Sequence, residues 1–102
     1  MSRATYVIVT SKPGQFHAEL TEGLSAVECF EFIANGRVRA RFTIAELTAP
    51  TRLRIVDETP PEVVNLVPTK FLEKFQTLEH ARHELEALAS RGQAVLTQVP
   101  CP

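Results

Sequence analysis

Residues 26–47 read AVECFEFIANGRVRARFTIAEL. Two runs of alternating apolar and polar residues flank Asn35-Gly36, and Asn-Gly between such runs is the strongest short-range signal for a β-hairpin. The stretch therefore predicts two long antiparallel strands, at 26–33 and 37–47, which form the centre of the fold.

The length of the hairpin loop decides which side chains share a face. A two-residue loop would pair Ala34 with Arg37 and turn Glu31 into the core, where an unpaired carboxylate is strongly unfavourable. A three-residue loop with Gly36 in the left-handed conformation pairs Glu31 with Arg39 instead. That cross-strand ion pair adds up to about 1 kcal/mol, and the phenylalanines of the first strand then face inward, so we favour the three-residue loop.

Three further strands are predicted, at 5–11, 51–57 and 94–99, from their β-branched and apolar side chains. The first has a continuous apolar centre, which is typical of a central strand covered on both faces. The last follows a helix, so parallel pairing with an earlier strand is one arrangement open to it. Residues 15–25 fit either a helix or a loop.

Helices are predicted late in the chain. Thr59-Pro60-Pro61-Glu62 has the N-cap, first-position proline and capping-box glutamate of a short helix, and residues 68–75 allow one or two more helical turns. Thr77 caps the main helix at about 78–90, whose apolar positions form one stripe. We therefore expect one α+β domain over residues 1–102, a single mostly antiparallel sheet of about four or five strands with the long helix on one face.

The composition excludes several classes of protein. A chain of 102 residues with a formal net charge of −1 is neither a strongly basic nucleic-acid coat nor a disordered tail. Its longest apolar run, Tyr6–Val9, has four residues, whereas a membrane helix needs about 20. The N-terminus lacks the apolar stretch of a secretory signal. Cys29 and Cys101 have no redox or zinc spacing, so we expect two reduced thiols in a cytoplasmic protein.

Arginines alternate along two of the predicted strands. Arg37, Arg39 and Arg41 lie in one strand and Arg52 and Arg54 in the next, and a period of two puts each set on one face. If the two strands are neighbours, all five guanidinium groups share the outer face of the sheet. The stretch from the first to the last of these arginines has a net charge of +4, against −5 for the rest of the chain.

These arginines are either neutralised within the sheet or open to a partner. Glu22, Glu28 and Glu31 are the candidate internal partners, and exposed ion pairs add only about 0–1 kcal/mol each. Open arginines would bind an acidic protein surface, because the guanidinium group bonds carboxylates through two parallel hydrogen bonds. RNA fits less well, because RNA-reading sheets expose aromatic side chains, and the favoured register turns Phe30 and Phe32 inward.

Other candidate sites are weaker. His80, His83 and Glu84 have a helical spacing that can hold a metal, but they face away from the apolar stripe and only His17 could add a third ligand. The turn at 12–15 is too short and has too little glycine for a phosphate loop. A small acidic cluster at the end of the strand at 51–57 consists of Asp57, Glu58 and Glu62, and it is interpreted as structural because Glu62 already serves as the capping-box residue. Three side chains with helical spacing are expected in the core, namely Phe71, Leu72 and Phe75.

The sequence thus predicts a non-catalytic accessory or regulatory protein that docks on the acidic surface of a larger protein or enzyme complex. The expected partner-binding residues are Arg37, Arg39, Arg41, Arg52 and Arg54. We predict no catalytic residues, metal or cofactor, because no motif for them is found. The alternatives are an oligomeric small-molecule or metal-binding enzyme with a pocket between subunits and, as a weaker one, an RNA-binding domain.

Overall fold

A computed structural model describes residues 4–102 and contains seven β-strands and one α-helix in that range. The elements are β1 (Tyr6–Ser11), β2 (Phe16–Glu19), β3 (Leu24–Ala34), β4 (Arg37–Leu47), β5 (Arg52–Asp57), β6 (Val64–Pro68), α1 (Leu78–Arg91) and β7 (Val95–Val99). The α+β class is therefore confirmed. No helix within residues 4–102 is long and apolar enough to cross a membrane.

The strands form two antiparallel sheets, which corrects the prediction of a single sheet. One sheet has four strands in the order β1-β4-β3-β7, and the other has three in the order β2-β5-β6. The prediction fails because β5 does not pair with its sequence neighbour β4. It pairs instead with β2 and β6, and residues 15–25, which had no definite prediction, contribute β2.

The four-stranded sheet has a hydrophobic core on each face. The helix-side core lies under α1 and contains Phe30, Ala40, Phe42, Ile44, Ala81 and Leu85. The intersheet core joins the two sheets and contains Val7, Val9, Leu24, Ala45 and Leu53. Tyr6 and Ile8 pack on the helix-side core, so β1 is covered on both faces as predicted. The predicted central position is wrong, because β1 lies at the edge of its sheet.

The hairpin forms where the sequence predicts it, but its loop has two residues. Ala34 pairs with Arg37, and the loop residues Asn35 and Gly36 have φ values of 54° and 73°. Positive φ at both central residues defines the type I′ turn, whose twist matches that of the flanking strands. The predicted three-residue loop is therefore wrong.

Two β-bulges then adjust the register of β3 against β4. The first leaves Arg39 as an extra residue, so Glu31 lies opposite Arg41 rather than opposite Arg39. One extra residue reverses the alternation of the strand, and for this reason the phenylalanines of β3 still face α1 as predicted. The second bulge leaves Val27 without a partner in β4.

The helix predicted from Thr59 is absent. The Pro60-Pro61 peptide bond is cis, and the chain continues into β6. Its valine and leucine side chains suit a strand, and they pair with β5 in register. Glu62 is exposed, and residues 68–75 form only a single 3₁₀ turn at Thr69–Phe71.

The long helix is close to the prediction, whereas the parallel pairing of the last strand is wrong. The Thr77 side chain caps α1 by accepting a hydrogen bond from the His80 N–H at 3.0 Å. At its other end, Gly92 lies against Phe32 of the hairpin. The chain therefore re-enters the sheet beside the hairpin, and β7 runs back antiparallel to β3.

Candidate functional site

The five predicted partner-binding arginines are divided between the two sheets. Arg37, Arg39 and Arg41 lie on β4 of the four-stranded sheet, whereas Arg52 and Arg54 lie on β5 of the three-stranded sheet. The predicted common face of five guanidinium groups therefore does not form, because β4 and β5 are not neighbours. All five residues are exposed.

An apolar row lies beside the β4 arginines, near the hairpin turn of the four-stranded sheet. Ile33 of β3 pairs with Val38 of β4 on one side and with Val95 of β7 on the other. Val95 is 64% exposed, because the three-stranded sheet covers only the other end of this face. We call this surface the arginine face, and it consists of Ile33, Val38 and Val95 with Arg41 on the same side and the bulged Arg39 next to them. Arg37 lies at its rim, because its pairing with Ala34 turns it to the helix side of the sheet.

The charges of the arginine face are only partly neutralised. Arg41 donates to Glu31 at 3.3 Å, with the guanidinium side chain 59% exposed. Arg39 donates only to the backbone carbonyl of Ala34, at 3.3 Å. Within residues 4–102, Arg37 and Arg39 have no carboxylate partner. Both alternatives are thus realised: Arg41 is partly neutralised by Glu31, whereas Arg37 and Arg39, nearer the hairpin turn, are open within the described residues.

The other two glutamates proposed as internal partners serve no arginine of the predicted site. Glu28 lies on the helix side of β3, where Arg82 of α1 donates to it from both Nε, at 2.7 Å, and Nη2. This hydrogen-bonded pair lowers the pKa of the Glu28 carboxyl. Sequence reasoning missed the pair, although a glutamate on an inward-facing position signals the need for a cation. Glu22 has no ion pair within the described chain.

A second polar cluster occupies the outer face of the three-stranded sheet. The His17 ring lies 3.2 Å from Glu19 and 3.1 Å from Glu58, and Arg54 donates to Glu19 at 2.9 Å. The hydrogen bond to Glu19, together with that to Glu58, favours the protonated ring and raises the pKa of His17. Arg54 is therefore occupied, whereas Arg52 has no carboxylate partner within residues 4–102.

The remaining candidates do not form a reaction centre. No group of three metal-ligating side chains occurs in the part of the chain that the structure describes. His80 and His83 are both exposed on α1, whereas His17 lies in the three-stranded sheet, paired with Glu19 and Glu58. The turn at 12–15 provides the Gly14 N–H, which donates to Glu58 at 2.7 Å. Glu58 therefore accepts a hydrogen bond that holds this turn in place.

Phe71, Leu72 and Phe75, all three predicted to lie in the core, do not share a face in the structure. Phe75 packs on the helix-side core and Leu72 on the intersheet core. Phe71 is 71% exposed, with Lys70 above its ring at 5.2 Å. The helical spacing predicts a shared face, but the single 3₁₀ turn gives them different directions.

The two cysteines form a disulfide, so the prediction of reduced thiols is wrong. Val99 pairs with Cys29 in the ladder between β7 and β3, and the chain folds back after Pro100 to bring Cys101 to Cys29. A separation of 72 residues in the sequence conceals this proximity, which arises only from the register of the last strand.

The described surface has two further clefts that contain charged side chains. One, of about 450 Å³, lies beside the disulfide and is lined partly by Glu31 and Arg41. The other, of about 430 Å³, includes Lys74, but its ammonium group already donates to the carbonyls of Thr69 and Leu72 at 2.6 and 2.8 Å. The exposed arginines are thus the groups most available to a partner.

Comparison of the chain with models of protein families, with curated proteins and with solved structures gives no match. A function for this protein therefore follows from its own residues and their geometry.

Proposed function

We propose that this protein is a non-catalytic docking module, which binds an acidic segment of a larger protein through the arginine face. The observation that carries the proposal is the pair of exposed arginines, Arg37 and Arg39, that lack a carboxylate partner within residues 4–102. Arginine is enriched at protein interfaces, and its guanidinium group binds carboxylates through paired hydrogen bonds.

The neighbouring apolar row favours a particular kind of partner. Val95 is 64% exposed and lies in one row with Ile33 and Val38, so a partner gains by burying these side chains. A segment that alternates carboxylates with aliphatic side chains would match both features. The partner is therefore expected to be an acidic and partly apolar protein segment.

The alternatives have less support from the same surface. An RNA-binding sheet needs exposed aromatics for base stacking, whereas Phe30 is buried and Phe32 packs on the helix-side core. An enzyme with a pocket between subunits stays a prediction that no side-chain arrangement in residues 4–102 particularly favours. A docking role uses the groups that are exposed and unpaired.

The test compares two charge reversals in affinity capture from the native cell at low salt. Arg39→Glu should reduce capture of the partner at least about tenfold, because it places a like charge against an acidic surface. Arg52→Glu is the matched control, since Arg52 is also exposed and has no carboxylate partner in the described chain. Equal loss of capture with both variants would contradict the proposal. Nuclease treatment of the lysate tests the RNA alternative, and loss of capture after that treatment would also contradict the proposal.

The cellular location belongs to the same proposal. The sequence predicts a cytoplasmic protein, but disulfides persist mainly in oxidising compartments, and the Cys29–Cys101 bond argues against that prediction. Trapping free thiols by alkylation at the moment of cell lysis distinguishes the two. An unalkylated protein favours an oxidising compartment, and alkylation of both cysteines favours the cytoplasm.

A further inference from the structure

Exposed aliphatic side chains are concentrated at β6, the edge strand of the three-stranded sheet. Val63, Val64 and Leu66 are 44%, 44% and 51% exposed. Among the strands of residues 4–102, β6 pairs only with β5. Proteins usually protect such an edge with charged residues, a bulge or a covering segment, yet residues 63–69 contain no charged side chain.

The backbone groups that point away from β5 can be identified. Asp57 donates to the Val63 carbonyl at 3.0 Å, and Thr69 donates to the Thr51 carbonyl at 2.9 Å. Hydrogen-bonded pairs alternate with non-hydrogen-bonded pairs in an antiparallel ladder. The odd-numbered residues of β6 therefore bond inward, and the N–H and C=O groups of Val64 and Leu66 point to the free edge.

We propose that β6 pairs antiparallel with β6 of a second copy of this chain, with Asn65 on the two-fold axis. In this register Val64 of one copy lies opposite Leu66 of the other, and their outward backbone groups exchange hydrogen bonds in both directions. Val63 lies opposite Val67, and Asn65 faces itself in a non-hydrogen-bonded pair. Each aliphatic side chain of the strand centre thus meets another aliphatic side chain. Each of these contacts occurs twice, as two-fold symmetry requires.

Neighbouring registers and the other free edge fit less well. With Leu66 on the axis, Val64 would lie opposite Pro68, which has no N–H to donate. Within residues 4–102, strand β7 also has no charged side chain and pairs only with β3. If two copies of β7 paired with Thr97 on the two-fold axis, Leu96 would lie opposite Gln98. The edge of β6 is the more self-complementary of the two.

The pairing would join two three-stranded sheets into one continuous sheet. Leu66 lies beside Arg54, and Val64 lies beside Val56, so the aliphatic side chains of both copies form one patch bordered by the Arg54–Glu19 ion pair. An interface made by one strand edge falls in the small class, below about 1,200 Å² in total, where association is weak. This pairing is independent of the docking proposed for the arginine face, which lies on the other sheet.

The test is sedimentation equilibrium over a concentration series up to the millimolar range. Wild-type protein should form a dimer, and Asn65→Lys should raise the dissociation constant at least about tenfold, since like charges then meet on the axis. Asn65→Asp should do the same, and an equimolar mixture of the two variants should recover the dimer as a heterodimer. Thr97→Lys, at the centre of β7, is the matched control and should dimerise as the wild type does.

Amide hydrogen exchange gives a second readout. The Val64 and Leu66 amides should gain protection as concentration rises, whereas the Asn65 amide, which bonds to β5, should be protected throughout. If wild-type protein stays monomeric up to millimolar concentration, the proposal is overturned, and the edge of β6 would then bind a different partner. A dimer that survives Asn65→Lys, or is lost in Thr97→Lys, overturns it as well.

Discussion

The ion pair between Glu28 and Arg82 fixes the long helix to the sheet at the level of single residues. The Glu28 carboxylate side chain is only 12% exposed, and a carboxylate in that position is stable only with a hydrogen-bonded cation. Arg82 provides two donors from α1. The pair therefore satisfies a buried charge and sets the position of the helix over β3.

Replacing Glu28 with Gln should lower the free energy of unfolding near neutral pH by about 1–2 kcal/mol, since Arg82 is half solvated. Because folding lowers the Glu28 pKa from 4.5, its stabilisation is complete above about pH 4.5 and is lost as the pH falls through the lowered value. Urea denaturation at several pH values measures this, and Glu28→Gln should flatten the acid limb. Glu22→Gln is the control, and an equal loss there would contradict the assignment.

Among the elements, the β3–β4 hairpin shows what the sequence could and could not predict. The Asn-Gly signal and the alternation of the flanking runs predict both strands and the outward position of Glu31. The predicted partner of Glu31, Arg39, is two residues away from the observed one, Arg41. The loop is one residue shorter than predicted and β4 has one bulged residue, and these two changes together leave the same side chains of β3 facing α1. Bulges depend on tertiary packing, so the sequence pattern alone does not distinguish these registers.

The turn between β2 and β3 depends on a glycine, and Gly23→Ala tests it. Gly23 has a φ of +100°, and an added Cβ would lie 2.9 Å from the Ala49 carbonyl oxygen. The variant should lose about 2–4 kcal/mol of stability, the sum of an unfavourable backbone conformation and a steric clash. Gly14→Ala is the matched control, because Gly14 has a φ of +82° with no neighbour within 4 Å of the added Cβ.

Thermal and urea unfolding of the two glycine variants give the comparison. Gly14→Ala should show only the backbone cost, about 1–2 kcal/mol. If both variants lose the same stability, the close approach of Gly23 to the loop that precedes β5 has no energetic role.

At the scale of the whole molecule, the arrangement of the strands decides what the arginines can do. All five arginines are exposed, as the sequence predicts, but the bulge at Arg39 reverses the alternation of β4, so the prediction that its three arginines share one face is wrong. The sequence does not predict that β5 pairs with β2 rather than with β4, since local patterns carry no information on pairing between strands that are distant in the sequence. As a result each set has one arginine in an ion pair, Arg41 with Glu31 and Arg54 with Glu19, and the two sets lie on different sheets.

The disulfide between Cys29 and Cys101 links the segment after β7 to β3 and closes a large loop of the chain. It joins residues 72 positions apart, and a cross-link of that kind stabilises a fold by about 2–4 kcal/mol, mainly by restricting the unfolded chain. Cys101→Ser should lower the stability of the protein by that amount in urea. A reductant should destabilise wild type equally but leave Cys101→Ser unchanged, which separates loss of the bond from loss of the sulfur atom. Destabilisation of Cys101→Ser by the reductant would show that another process is responsible.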